Sequence, residues 1–135
     1  MGNQTRAFLK NSNSDFNNIL DSMVVLETAQ GAVTQASNLT TGVTINATSG
    51  IITLHASATN ATVNNEFTVT NSFVKSTSVI LITMQDENTT NSVSLVPSTH
   101  TIADGSFKIS VHNPASSGNA SATASKIHFL IINNS

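Results

Sequence analysis

Four histidines, His55, His100, His112 and His128, are the side chains of this sequence best suited to move a proton or to bind a metal near neutral pH. None has a second His, Asp or Glu at the short spacing that builds a ligand pair, and each falls on a different alternating stretch. The reading for all four is a strand-surface residue. Asp86-Glu87-Asn88 opens like an oxygen-ligand loop for calcium. It lacks the glycine at the sixth position, and Pro97 stands where the closing glutamate belongs, so an acidic turn is expected there. The 19 serines allow a Ser-His-Asp set to be assembled on paper. No G-x-S-x-G elbow, glycine-rich phosphate loop or pair of carboxylates set for acid and base roles accompanies them. The chain therefore reads as a non-enzyme with no cofactor and no metal.

Cysteine is absent, which removes disulfides, thiolate metal sites and a Cys nucleophile together. Seven N-x-[ST] sequons, at Asn3, Asn38, Asn46, Asn60, Asn88, Asn119 and Asn133, raise the question of glycosylation. With 17 Asn, 19 Ser and 19 Thr, about five would occur by chance, so the sequons follow from composition. "MGNQTR" approaches the myristoylation pattern, but the sixth residue is Arg6.

What must hold these residues is mostly β-structure. The exception is "NSDFNNILDSMVVLE", where Phe16, Ile19, Leu20, Met23 and Val24 recur on one helical face and Ser14 or Asp15 can cap it. Ahead of it lies a polar arm carrying Phe8 and Leu9. From Gly31 the period becomes two. Strands are expected over 32–36, 41–46, 50–56, 65–71, 78–85, 92–96, 100–103, 106–112 and 126–133, separated by turn-rich pieces such as "ATNATVNN" and "NPASSGNASATAS". Asp104-Gly105 between two alternating runs predicts a tight hairpin. "TGVTI" and "SGIIT" read as the two arms of another. Nine short strands predict an antiparallel sandwich or barrel, organised as an arm over 1–30 and a β-domain over 31–135.

Two strands, "SVILITM" and "KIHFLII", are apolar on both alternating faces, which predicts cover on both sides, by a second layer or by another subunit. Ile127, Phe129 and Ile131 are the expected subunit-interface residues. Charged residues make up only 9% of the chain, against about a quarter in ordinary soluble domains, and the formal net charge is −2. That leaves no basic patch for nucleic acid or anionic membrane. With aromatics at 4% and no Trp or Tyr, a stacking platform for sugars or bases is also disfavoured. The N-terminus has no continuous apolar core, so the reading is a chain that begins at Met1 without a signal peptide and is made in a cytosol.

A Thr/Ser/Asn-rich surface suited to the outside world, without signal peptide or cysteine, fits a protein that assembles in a host cytosol and works outside it. The stretches "GAVTQASNLTTGVTINATSGIITLHA", "NEFTVTNSFVKSTSVIL", "IADGSFKISVHN" and "KIHFLII" resemble a family of small structural proteins of tailed phages, the capsid decoration or cement proteins and related virion β-domains. The resemblance runs from Gly31 to Ile132. It implies a jelly-roll-like sandwich, a homotrimer, and a place on the virion's capsid surface bound to the major capsid protein through an N-terminal arm. The apolar residues Phe8, Leu9, Phe16, Ile19, Leu20 and Met23, which precede the β-domain, suit such docking into a groove. Two other readings compete with decoration: a receptor-binding or spacer module of a tail or head fibre, and a pilus subunit, which would carry a signal peptide and a cysteine pair.

Overall fold

The computed structural model describes residues 30–60, 62–85, 95–115, 119–121 and 124–133. The helical pattern over 14–27, the arm, the acidic turn at Asp86 and most of the strand expected over 92–96 lie outside them. The described residues are all-β: β1 (Gln30–Thr34), β2 (Val43–Thr44), β3 (Ser49–Thr53), β4 (Ala58–Asn60), β5 (Asn64–Thr70), β6 (Val79–Gln85), β7 (Val96–Ala103), β8 (Ser106–His112), β9 (Asn119–Ser121) and β10 (Lys126–Ile132). Sheet A has the order β1-β3-β10-β6 and sheet B the order β2-β5-β8-β7, while β4 and β9 form a small antiparallel pair.

The two large sheets face each other across one core, because period-two alternation in both gives each strand one apolar side. Ile52, Ile80, Ile127, Phe129 and Ile131 come from sheet A, and Phe67, Val69, Phe107, Ile109 and Val111 from sheet B, all of them buried. The rings of Phe107 and Phe129 meet across the interior with centroids 6.2 Å apart at 55°. A tilted aromatic pair of this kind adds about 0.5–1.5 kcal/mol to the area it buries.

The expected hairpin of "TGVTI" and "SGIIT" is corrected. Val43 and Thr44 pair in parallel with Val69 and Thr70 in sheet B, whereas Ser49–Thr53 belongs to sheet A. The chain changes sheets between them, and β1 and β3 lie parallel because that excursion through β2 supplies the crossover a parallel pair needs. The sheets are thus mixed rather than purely antiparallel. Close approach in this corner demands glycine: a Cβ on Gly50 would stand 2.5 Å from the Gly31 carbonyl oxygen and 3.0 Å from Phe129 Cε1.

The Asp104-Gly105 hairpin is present, with Ala103 opposite Ser106 and Gly105 at φ +82°. The turn is fastened to the preceding loop, since the Gly105 N–H donates to the Val74 carbonyl and the Asn71 N–H donates to the Gly105 carbonyl, each at 2.9 Å. β7 runs unbroken from Val96 past Pro97, which an edge strand tolerates, to a bulge between His100 and Ala103. β4 and β9 lie in the two pieces read as turns, each only three residues long and rich in Asn, Ala, Ser and Thr, too short to show a period.

Candidate functional site

The outer faces of the two sheets differ in chemistry. In sheet A the cross-strand rows are Val79 beside Ile132, then Leu81, Leu130, Ser49 and Gln30 in line, then Thr83, His128, Ile51 and Ala32. Val79, Leu81 and Ile132 keep 44%, 51% and 42% of their surface exposed, and Leu130 between them is half-buried. Two open depressions flank His128, one of about 260 Å³ bordered by Leu81, Thr83 and Leu130, the other of about 160 Å³ bordered by Gln30, Ser49 and Ile51. Among the described residues of this face the one formal charge is Lys126, at the end of β10 farthest from Val79.

The double apolarity of "SVILITM" and "KIHFLII" is therefore half answered inside the chain. Ile127, Phe129 and Ile131 point into the core, with exposures of 0%, 4% and 6%. The outward side of β10 carries Lys126, His128, Leu130 and Ile132. Of the arm residues, Phe8, Leu9, Phe16, Ile19, Leu20 and Met23 all lie outside the described residues.

On the outer face of sheet B, Lys108 Nζ donates to Glu66 Oε1 at 2.5 Å, and His100 Nε2 lies 3.2 Å from Glu66 Oε2. The lysine holds the Glu66 carboxyl below the usual carboxylate range, chiefly through this hydrogen bond. Ser110 Oγ also approaches His100 Nε2, at 2.8 Å. Serine, histidine and glutamate thus come together, but not as a triad. A nucleophilic serine needs one ring nitrogen as base while the carboxylate holds the other. Here both crowd Nε2, and Nδ1 faces Thr101 Oγ1 at 3.1 Å. The cluster is a polar patch on an open sheet.

Two of the other histidines are similarly occupied. His55 Nδ1 lies 2.6 Å from Ser57 Oγ and His128 Nε2 lies 3.0 Å from Gln85 Oε1. His112 Nδ1 is buried without a partner among the described residues. Within those residues no group of three His, Asp or Glu side chains could hold a metal ion. Asp104 lies below the usual carboxylate range because the Ser76 backbone N–H donates to Oδ1 at 2.7 Å.

Sequence reasoning placed Gln35 and Asn71 in strands and Asn113 in a turn, and missed that all three are internal fasteners. Gln35 is buried; its Nε2 donates to the carbonyls of Thr41 (2.9 Å) and Leu39 (3.3 Å), and its Oε1 accepts from the His55 N–H. Asn71 Nδ2 donates to the Ala47 carbonyl at 2.7 Å, and Asn113 Nδ2 to the Thr59 carbonyl at 2.9 Å. Each amide satisfies backbone where the chain leaves a strand, which a buried crossing otherwise leaves orphaned. Two sequon asparagines do related work at the surface: Asn38 Oδ1 accepts from the Thr40 N–H and Asn46 Oδ1 from the Ser72 N–H, both at 2.9 Å. No family model, curated protein sequence or solved structure matches this chain.

Proposed function

We propose that this chain is a structural protein of a phage virion, a decoration protein that docks on the capsid surface, binds the major capsid protein and stabilises the head lattice. It acts without enzymatic chemistry or cofactor, as a homotrimer, after assembly in the host cytoplasm. The observation that carries the reading is the one-sided chemistry of the domain. The apolar outer face of sheet A and the point where the chain enters it at Gln30 share one side, while the charged cluster of Glu66, His100 and Lys108 occupies the other. A lattice-bound cap needs that asymmetry, one side to lose water and one to keep it. The jelly-roll reading of the sandwich draws support from the way the chain alternates between sheets from β1 to β2, β3, β5, β6 and β7.

In this reading the anchor is the arm, through Phe8, Leu9, Phe16, Ile19, Leu20 and Met23 in a helical stretch. The test is co-sedimentation of the full chain with expanded empty heads of the virion. Saturation at a lattice-like ratio, little altered between low and moderate salt, is expected from attachment by apolar burial; a charge-driven contact would weaken steeply. Phe16→Ala with Leu20→Ala should weaken binding, each side chain being worth about 1.5–3 kcal/mol when fully buried. Saturation at tens of copies per virion, rather than hundreds, would instead identify a fibre module.

A further inference from the structure

We propose that β6 is an association edge, at which two copies of this chain pair antiparallel through Ile80, Ile82 and Met84 and join their A sheets into one. β6 is the last strand of sheet A, bonded on one side to β10. The Ile131 N–H donates to the Thr48 carbonyl at 2.8 Å, on the β3 side of β10. Ile131 therefore turns its backbone groups away from β6, and its antiparallel partner Ile80 turns its own away from β10. By alternation Ile82 and Met84 do the same. Among the described residues these outward N–H and C=O groups meet no partner. Apart from water, the chemical complement of such a row is another extended strand.

The edges of the two large sheets are not alike. β7 carries Pro97 and a bulge between His100 and Ala103, β2 is two residues long, and β1 offers little to pack against at Gly31 and Ala32. β6 runs for seven residues, VILITMQ, with no Pro, Gly or charge, and its register with β10 is unbroken. Both of its rows are apolar. Val79 and Leu81 stand exposed outside, while Ile82 and Met84 are only partly buried against the core. The rim of the core is thus open along this edge, and a neighbouring strand closes it.

Self-complementarity makes a second copy the occupant. About a two-fold axis at Ile82, that residue faces Ile82 of the second copy, and Ile80 faces Met84. Every outward N–H of the three residues then meets a carbonyl of the other strand. On the outer face Leu81 lies beside Thr83 of the second copy, and Val79 beside Gln85. Centring the axis on Leu81 instead sets Met84 opposite Ser78, whose N–H already donates to the Lys75 carbonyl, so the Met84 carbonyl is left without a donor. No charge on β6 opposes the contact, and a two-fold pair closes on itself. One strand edge covers less than the about 800 Å² per side of a stable complex, so pairing should follow protein concentration.

The contact is two-fold, additional to the three-fold association proposed above, and it is tested on the purified full chain without heads. Amide hydrogen exchange reads it directly. With rising protein concentration, exchange at Ile80, Ile82 and Met84 should slow, while Leu81 and Thr83, whose amides face β10, should keep one slow rate throughout. One fast rate for the three amides up to the solubility limit would overturn the proposal. Register is read by disulfide trapping, since the sequence has no cysteine. Leu81→Cys and Thr83→Cys both change exposed outward positions. Chains carrying one each, mixed and mildly oxidised, should give a covalent heterodimer, because residues opposite each other lie within disulfide reach. Either variant alone should stay largely uncoupled, its two Cα atoms standing about 8 Å apart, beyond the roughly 7 Å that a disulfide spans. Homodimers that form as readily as the heterodimer would overturn the pairing. Slow exchange of the three amides at every concentration, with no heterodimer trapped, would mean that the edge is covered within its own chain, which also overturns it.

Discussion

The outer faces of sheets A and B are built by the same alternation and differ almost only in which residues occupy the outward positions. On sheet B these include Glu66, Thr68, Thr70, Lys108 and Ser110, with Val96 at the edge; on sheet A they are Val79, Leu81, Leu130 and Ile132 at one end, giving way to Thr83, His128 and Lys126 toward the other. Water satisfies the first set, and the few charges there pair with each other. The apolar end of the second face has no polar group to lose when it is covered, so covering it costs least there. Alternation in a strand identifies an inner face, but an outer face that is apolar as well shows that folding of the one sheet pair has not used all of the apolar surface.

The largest expected effects test whether the difference is confined to the outside. Phe107 of sheet B and Phe129 of sheet A share one interior, so Phe107→Ala and Phe129→Ala should each cost about 3–5 kcal/mol. Urea denaturation should show a single transition in both variants. A small loss for Phe129→Ala alone would break the comparison, because sheet A would then be held by something other than the common core.

A next, smaller effect separates the two corners where the chain enters the sheets. Gly50→Ala places a methyl group 2.5 Å from the Gly31 carbonyl oxygen, backbone that can move only if β1 shifts. A cost of about 1–3 kcal/mol is expected, with β1 amides losing protection from hydrogen exchange first. Gly42→Ala, before β2, brings its methyl to 3.2 Å from the Thr68 carbonyl oxygen, a contact that tenths of an ångström relieve. It should cost less than about 1 kcal/mol. Equal losses would mean that the sheet A corner adapts as readily as the other.

How much of this the sequence disclosed depends on the range of the interaction involved. The strands β5, β6, β8 and β10 were legible because each carries two or more apolar residues at period two, and the β7–β8 hairpin because Asp104-Gly105 declares a turn locally. The sheet that β2 joins was not, since two residues carry no period and Val43 finds its partner Val69 only across the fold. Gln35, Asn71 and Asn113 were illegible for a related reason: among so many uncharged polar residues, burial alone distinguishes a fastener from a residue at a strand surface or in a turn. The double apolarity of β6 and β10 was plain, but which side faces inward follows from register, and that placed Leu130 and Ile132 rather than Ile127, Phe129 and Ile131 on the outside.

The outer faces themselves can be exchanged by one residue each. Leu81→Thr retains a good strand former while removing apolar area from the patch on sheet A. If that patch is covered in the free protein, the loss should be about 1–2 kcal/mol by urea denaturation. Thr68→Leu, on the open face of sheet B, should stay within about 0.5 kcal/mol of the parent. Should Leu81→Thr be as silent as Thr68→Leu, the outer face of sheet A stands in water in the free protein and the contrast between the faces has no energetic counterpart.

The smallest effect belongs to the charges of sheet B, and its sign follows from linkage. Glu66 is held below its ordinary value, mainly by the hydrogen bond from Lys108 and to a smaller extent by the nearby His100. A carboxyl depressed in the folded state contributes stability that is fully present above its unfolded value of about 4.3. That contribution disappears as pH falls through the folded value. Glu66→Gln should therefore lower the urea midpoint slightly at pH 7, and the gap to the parent should close as pH falls below the ordinary carboxylate range. Salt should narrow it as well, because the pair is exposed and screened. Lys108→Met should narrow it in the same way at neutral pH, by removing the partner that depresses Glu66. Among the described residues no carboxylate stands on the outer face of sheet A, so the Leu81→Thr difference should hold constant over the same pH and salt range. A Leu81 effect that followed pH as the Glu66 effect does would show that the two faces are electrostatically coupled, and that the apolar face is covered by something charged.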